Sequence, residues 1–122
     1  MKNRKQPLFK SFGYAFEGIW TGISKERNMK IHCLAVILVT AVGTFVGLTP
    51  MELCICLLLF GMVISLELVN TVVEAGVDFV TEERKPLAKI AKDTAAGAVL
   101  FTAIMAVIIG GIIFIPHFIA LL

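Results

Sequence analysis

The stretch Glu67–Asp78, ELVNTVVEAGVD, decides how the chain is read. It continues a run without formal charge from Leu53 to Leu66, then places three carboxylates and one carboxamide in what should be the same helix. At about 100° per residue, Glu67, Asn70, Thr71, Glu74 and Asp78 fall on one side of that helix, within roughly 100° of arc. Leu68, Val69, Val72 and Val73 fall on the other. Ionisable side chains at membrane depth are costly and face a protein interior or a polar cavity, so the row is expected to serve a function.

Outward from this row, the composition points to a membrane. The chain has 122 residues, room for one domain over 1–122. It is 58% apolar and 16% charged, where a soluble domain carries about 25% charged residues. Its mean hydropathy is +0.93. The expected fold is an all-α membrane protein: an N-terminal amphipathic interfacial helix over 8–24 and three transmembrane helices over 29–48, 51–80 and 87–121. The apolar residues Phe9, Phe12, Phe16, Ile19, Trp20 and Ile23 recur at helical spacing, which suits a helix in the membrane interface and equally one packed on its own bundle. Residues 1–7 are expected to be frayed. Ser24 is a candidate N-cap for the next helix, without a capping box, because Arg27 stands at the third position.

Ile31 to Met51 has 21 residues without formal charge, with His32 counted as neutral. That spans a hydrocarbon core of about 30 Å. Gly43 and Gly47 form a GxxxG pair within it. Thr49-Pro50 marks a turn, with Pro50 suited to the first turn of the next helix. About 20 residues from Glu52 reach the far interface near Thr71, so Glu67 lies inside that boundary and Glu74 and Asp78 at or beyond it. Pro86 separates the second crossing from the last, and Gly97, Gly110 and Gly111 read as packing glycines. Pro116 and His117 fall near the interface at the end.

All 11 Lys and Arg fall in two segments, seven between Lys2 and Lys30 and four between Arg84 and Lys92. The positive-inside rule then places the N-terminus and the 81–93 connection in the cytoplasm and the C-terminus outside. Nucleic-acid binding is disfavoured, since the basic groups flank apolar spans and form no independent basic face. Cys33, Cys54 and Cys56 match neither a zinc site nor a redox pair and read as small residues in buried helices. No signal peptide is recognisable.

The orientation gathers Glu26, Lys30, Glu74, Asp78, Lys92 and Asp93 at one interface, the one facing cytoplasmic nucleotides. Carboxylates crowded there repel each other, and a divalent cation relieves this: Mg²⁺ is typically held by one or two carboxylates plus substrate phosphates. Nearby lysines hold phosphate oxygens as point charges. A further carboxylate that binds no metal can take a proton from an alcohol. Together these are the parts for phosphoryl transfer from a nucleotide to a lipid hydroxyl. Neither a GxxxxGK[ST] loop nor a kinase glycine loop occurs. The plainer alternative is that the acids pair with Lys30, Lys92 or Arg84 and only brace helices. For Glu67, with no basic residue within two helical turns along the chain, function is favoured.

The pattern ELVNTVVEAGVD (67–78) followed by AKDTAAGAVL (91–100) resembles the prokaryotic diacylglycerol kinase family of small integral-membrane lipid kinases. FKSFGYAFEGI and SKERNMKIH near the N-terminus are similar to its Gram-positive branch, known mainly as undecaprenol kinases. The resemblance covers nearly the whole chain. It implies ATP as phosphoryl donor, Mg²⁺ as cofactor, and a homotrimer in the cell membrane with composite active sites at the cytoplasmic interface. It implies Glu67 as the base for the lipid hydroxyl, with Asn70 positioning the site, and Glu26 and Glu74 as metal ligands. Lys92 and Asp93 would contact the nucleotide, with Tyr14 against it, Asp78 supporting it and Glu83-Arg84-Lys85 closing over it. Three departures from the diacylglycerol enzymes fall where the lipid would be read. Ala96 replaces a family serine, Trp20 a basic residue, and an N-terminal arginine is replaced around Pro7 with Lys10 kept nearby. These favour undecaprenol, converted to undecaprenyl phosphate, over diacylglycerol. An ion-coupled membrane subunit, with Glu67 and Glu74 relaying cations, and a non-catalytic membrane adaptor are the alternatives from other classes.

Overall fold

A computed structural model describes residues 7–122, so the expectation of a frayed N-terminus at 1–6 lies outside the described residues. The described chain forms four helices: α1 (Leu8–Lys25), α2 (Arg27–Val46), α3 (Pro50–Val80) and α4 (Pro86–Leu121). The last three are long and apolar enough to cross a membrane. α1 is amphipathic and leaves Phe9, Phe12, Phe16 and Trp20 exposed, as suits a helix in the membrane interface. Gly22 is its buried residue; a Cβ there would stand 2.5 Å from Leu68 Cδ2, so α1 meets α3 at close range.

α3 packs mainly on α4, and α2 leans on α3 and less extensively on α4. The enclosed apolar core is small: Met29, Cys56, Val63, Val99 and Ile113. Most other large apolar side chains point outward, among them Leu57, Phe101 and Ile112. In a hydrocarbon solvent that exposure has no hydrophobic cost, so the helices are held by close packing and by a few polar contacts.

The helix boundaries have local causes. α1 runs past Ser24, whose hydroxyl donates back to the Thr21 carbonyl at 3.4 Å, and the chain breaks instead at Glu26 (φ −98°, ψ 122°), the N-cap of α2. Ser24 is therefore no N-cap. α2 ends at Gly47 in the left-handed region (φ 79°), where the Gly47 and Leu48 amides both donate to the Gly43 carbonyl. Gly47 thus stops a helix, as glycine does without a Cβ penalty, and only Gly43 of the expected pair permits a close approach, from Leu48 and Phe114. Thr49 caps α3 through a full capping box with Glu52, and Pro50 occupies the first turn. Glu52 also receives His117 Nε2 from α4 at 2.9 Å, which ties the two helices at this end. α4 continues through Pro116 to Leu121. No neighbour stands within 4 Å of where a Cβ would sit on Gly97 or Gly110, so they do not pack within one chain. Of the cysteines, Cys56 is buried, Cys33 half-buried and Cys54 exposed, so Cys54 departs from expectation.

Candidate active site

Glu67 sits at the centre of the bundle, with its side chain 3% exposed. α3 carries it inward with Asn70, also buried, because the two lie one turn apart on the side facing α2 and α4. A cavity of about 220 Å³ opens beside them, where the polar side chains of Asn28, His32, Glu67 and Asn70 face Ile31, Ala96 and neighbouring apolar α4 residues. An apolar cleft of about 410 Å³ lies next to it, between α2, α3 and α4. His32 and Ala103 line both spaces, so the cavity and a hydrocarbon slot share a wall.

The row from Glu67 to Asp78 is graded along α3. Glu67 Oε2 stands 3.4 Å from His32 Nε2 on α2. The Thr71 hydroxyl donates to the Glu67 carbonyl. The Asn70 side-chain amide donates to Glu74 Oε1 at 3.1 Å, and its Oδ1 is buried without a hydrogen-bond partner. Lone pairs left bare in a buried site cost free energy until a donor arrives. Oδ1 is therefore an unused acceptor on a residue that lines the cavity. One turn further, Asp78 Oδ1 accepts from Lys92 Nζ at 2.6 Å, joining α3 to α4. At about 1.5 Å per residue, Glu74 lies roughly 10 Å and Asp78 roughly 16 Å along the axis from Glu67.

Several expected site residues meet here and others do not. Glu67, Asn70 and Ala96 line one cavity, and Glu74 joins through Asn70. Lys92 and Asp78 pair with each other, and Asp93 accepts from Lys89 at 2.5 Å, a local contact on α4. Glu83 and Lys85 lie in the connection between α3 and α4, with Nζ 3.9 Å from Oε2. Arg84 is exposed there. Lys10, Tyr14 and Trp20 are exposed on α1 and do not line the Glu67 cavity. Glu26 is half-buried at the break between α1 and α2.

Among the described residues, no group of three or more His, Cys, Asp or Glu side chains could by itself hold a metal. Glu26 stands at the break between α1 and α2 and Glu74 on α3; the donor type is the one Mg²⁺ uses, since that ion takes one or two carboxylates and completes its shell with water and phosphate oxygens. Glu74 keeps Oε2 for this while Oε1 receives Asn70.

The residue that the sequence pattern missed is His32. Counting formal charge passed over it as neutral, yet an imidazole inside an otherwise uncharged span is itself an intramembrane ionisable group, and that was the available signal. Its nearness to Glu67 depends on how α2 packs on α3.

Comparison with known proteins bears on this arrangement. The sequence model described as prokaryotic diacylglycerol kinase matches residues 13–114. The chain is 45% identical over 115 residues to the undecaprenol kinase of Bacillus subtilis, covering 94% of each protein. It is 39% identical over 116 residues to a diacylglycerol kinase of Synechocystis, covering 94% of this chain and 66% of that one. To the diacylglycerol kinase of Escherichia coli K12 it is 27% identical over 111 residues, covering 91% of each. With a match across most of its length and three helices long and apolar enough to cross a membrane, the chain belongs to the prokaryotic diacylglycerol kinase family and is a lipid kinase of the membrane.

Proposed function

We propose that this kinase transfers the γ-phosphoryl group of ATP to undecaprenol, giving undecaprenyl phosphate, with Mg²⁺ bound. The observation that carries the proposal is the junction at His32 and Ala103, where the cavity holding Glu67 and Asn70 meets an apolar cleft. A lipid alcohol has the matching shape, with one hydroxyl on a hydrocarbon chain. The choice of undecaprenol is supported by the 45% identity, over 94% of both chains, to a protein named for that activity.

Glu67 acts as the base. The lipid hydroxyl donates its one proton to Glu67, with Asn70 positioning the site beside it. As Glu67 takes the proton, the oxygen attacks the γ-phosphorus and ADP leaves. The nucleotide lies along α3 beyond Glu74, with Lys92 on its phosphates, Asp93 in contact with it, Asp78 and Tyr14 supporting it, and Glu83-Arg84-Lys85 covering it. Glu26 and Glu74 hold Mg²⁺, which when bound neutralises charge on the phosphates. Lys10, Trp20 and Ala96 contact the lipid headgroup region. The site faces the cytoplasm, because the Glu26 and Lys92 ends carry the basic residues. The protein sits in the cell membrane as a homotrimer with composite sites. Support for helix association comes from the outward face of α3, where Gly61 and Ser65 let a second helix approach closely.

The test uses purified protein, labelled ATP and Mg²⁺, with undecaprenol and diacylglycerol assayed separately in one detergent. Undecaprenyl phosphate should form with higher kcat/KM than phosphatidic acid. A preference for diacylglycerol would reverse the lipid assignment. No product from either lipid would overturn the function.

A further inference from the structure

His32 is the ionisable side chain that α2 sends toward Glu67, with Nε2 3.4 Å from Oε2. We propose that His32 is the positioning partner of Glu67, holding its carboxylate toward the lipid hydroxyl and receiving the proton that Glu67 removes. This rests on the lipid-kinase function with Glu67 as base, and adds a residue to it.

The surroundings leave Glu67 few other routes for a proton. Its side chain is 3% exposed, whereas that of His32 is 21% exposed and stands less than two turns from the charged start of α2 at Arg27, so His32 is the more accessible member of the pair. From α4 the cavity wall is Ala96, Val99, Leu100 and Ala103, none of which ionises. From α2 the wall is Asn28, Ile31 and His32, and from α3 it is Glu67 and Asn70. Glu74 is reached only through Asn70, whose amide hydrogen it already accepts. No α1 residue lines the cavity. A carboxylate enclosed this way is poorly solvated, and a neighbouring imidazole with its proton on Nε2 offsets that cost by donating to it. The separation is longer than a formed hydrogen bond, about 2.7–3.2 Å. Catalytic contacts often tighten only when substrate binds.

The step balances as follows. The lipid O–H bond breaks while its oxygen forms a bond to the γ-phosphorus. The bond from that phosphorus to the β,γ-bridging oxygen breaks, and ADP departs with the electron pair. The proton passes to Glu67; His32, which first donates through Nε2–H, shifts to the Nδ1–H tautomer by exchange with solvent and then takes that proton at Nε2. Carboxylate and imidazolium remain side by side until the histidine releases the proton to solvent.

The test measures lipid phosphate formation by the full-length protein in micelles with Mg²⁺, ATP and undecaprenol, as kcat and KM across pH. His32→Gln keeps an N–H donor for Glu67 but cannot accept a proton; His32→Ala removes both functions. We expect kcat to fall about 10-fold to 100-fold in each. The KM for ATP should stay constant, and the acidic limb of the His32→Gln profile should move. Added imidazole should raise turnover of His32→Ala but not of Glu67→Gln. Thermal unfolding in the same detergent identifies variants that retain the fold, and His32→Gln carries the test if His32→Ala does not fold. Wild-type kcat with an unchanged pH profile in His32→Gln overturns the proposal alone. A wild-type protein that makes no lipid phosphate, or Glu67→Gln with full turnover, overturns the kinase function and the base assignment themselves.

Discussion

Glu67 and Lys92 show how the same kind of polar contact carries different weight at different depths. Glu67 is enclosed, so Glu67→Gln removes both a proton acceptor and a poorly solvated charge. Turnover should fall by about 10²-fold to 10⁴-fold, the range typical of a lost general base. The melting temperature in detergent should hold or rise slightly, since replacing a buried charge with a neutral isostere relieves its desolvation. A Gln variant with normal turnover would remove Glu67 from the chemistry. The Lys92–Asp78 pair is 40% and 55% exposed, and pairs of that kind contribute only about 0–1 kcal/mol. If Lys92 were a helix brace, Lys92→Ala would cost a little stability and nothing else. As a phosphate contact, its loss should instead raise the KM for ATP about tenfold or more, with the lipid KM nearly unchanged. Equal nucleotide KM values in the two proteins would return Lys92 to a bracing role. Glu26→Gln and Glu74→Gln should each raise the Mg²⁺ concentration for half-maximal rate, and superimposable Mg²⁺ titrations would remove them as ligands. The acids were legible in the sequence because helical spacing alone puts Glu67, Asn70 and Glu74 on one side. The His32 contact was not, because helical periodicity relates residues within one helix and carries no information about the rotation of α2 against α3.

The helix ends were legible to different degrees, and the difference lies in what stops each helix. Pro50 and Pro86 announce the starts of α3 and α4, since each lacks the amide hydrogen that a helix interior would need. Ser24 misled because a serine side chain bonds equally well to the preceding turn, and here it does. Gly47 misled because one residue type serves both close packing and a left-handed stop, and the backbone angle alone tells them apart. The box of Thr49 and Glu52 follows the T-x-x-E spacing, a signal present in the chain but overshadowed by the proline between them. Glu52 then has two duties, closing the box and receiving His117. Thr49→Ala should destabilise the protein by about 1 kcal/mol, as for a lost N-cap. Its KM values should remain those of the wild type, because the change is at the opposite end of α3 from Glu74. A stability loss accompanied by a changed ATP KM would mean that the two ends of α3 are mechanically coupled.

At the scale of the whole molecule, the single chain assembles the lipid end of the reaction better than the nucleotide end. Glu67, Asn70, His32 and Ala96 converge on one cavity within one chain. Lys10, Tyr14 and Trp20 lie on α1 away from that cavity, and Lys92 joins Asp78 roughly 16 Å along α3 from Glu67. A transferred phosphoryl group must come within bonding reach of the lipid oxygen beside Glu67. In the composite sites proposed above, a neighbouring copy has to supply the cations beside Glu67. This predicts that, assayed at ATP well below the KM of Lys92→Ala, the Glu67→Gln and Lys92→Ala chains, each of low activity alone, complement each other when co-assembled from an equal mixture. In a closed ring of three, a site using Glu67 of one chain and Lys92 of the next is intact at about a quarter of random interfaces. Activity should therefore recover to about a quarter of the wild-type value, provided the chains are mixed before assembly. Mixing after assembly should recover nothing unless subunits exchange. If every site is complete within one chain, co-assembly leaves the activity at the level of the separate variants. That outcome would retain Glu67 and Lys92 in their chemical roles while confining both to the same chain.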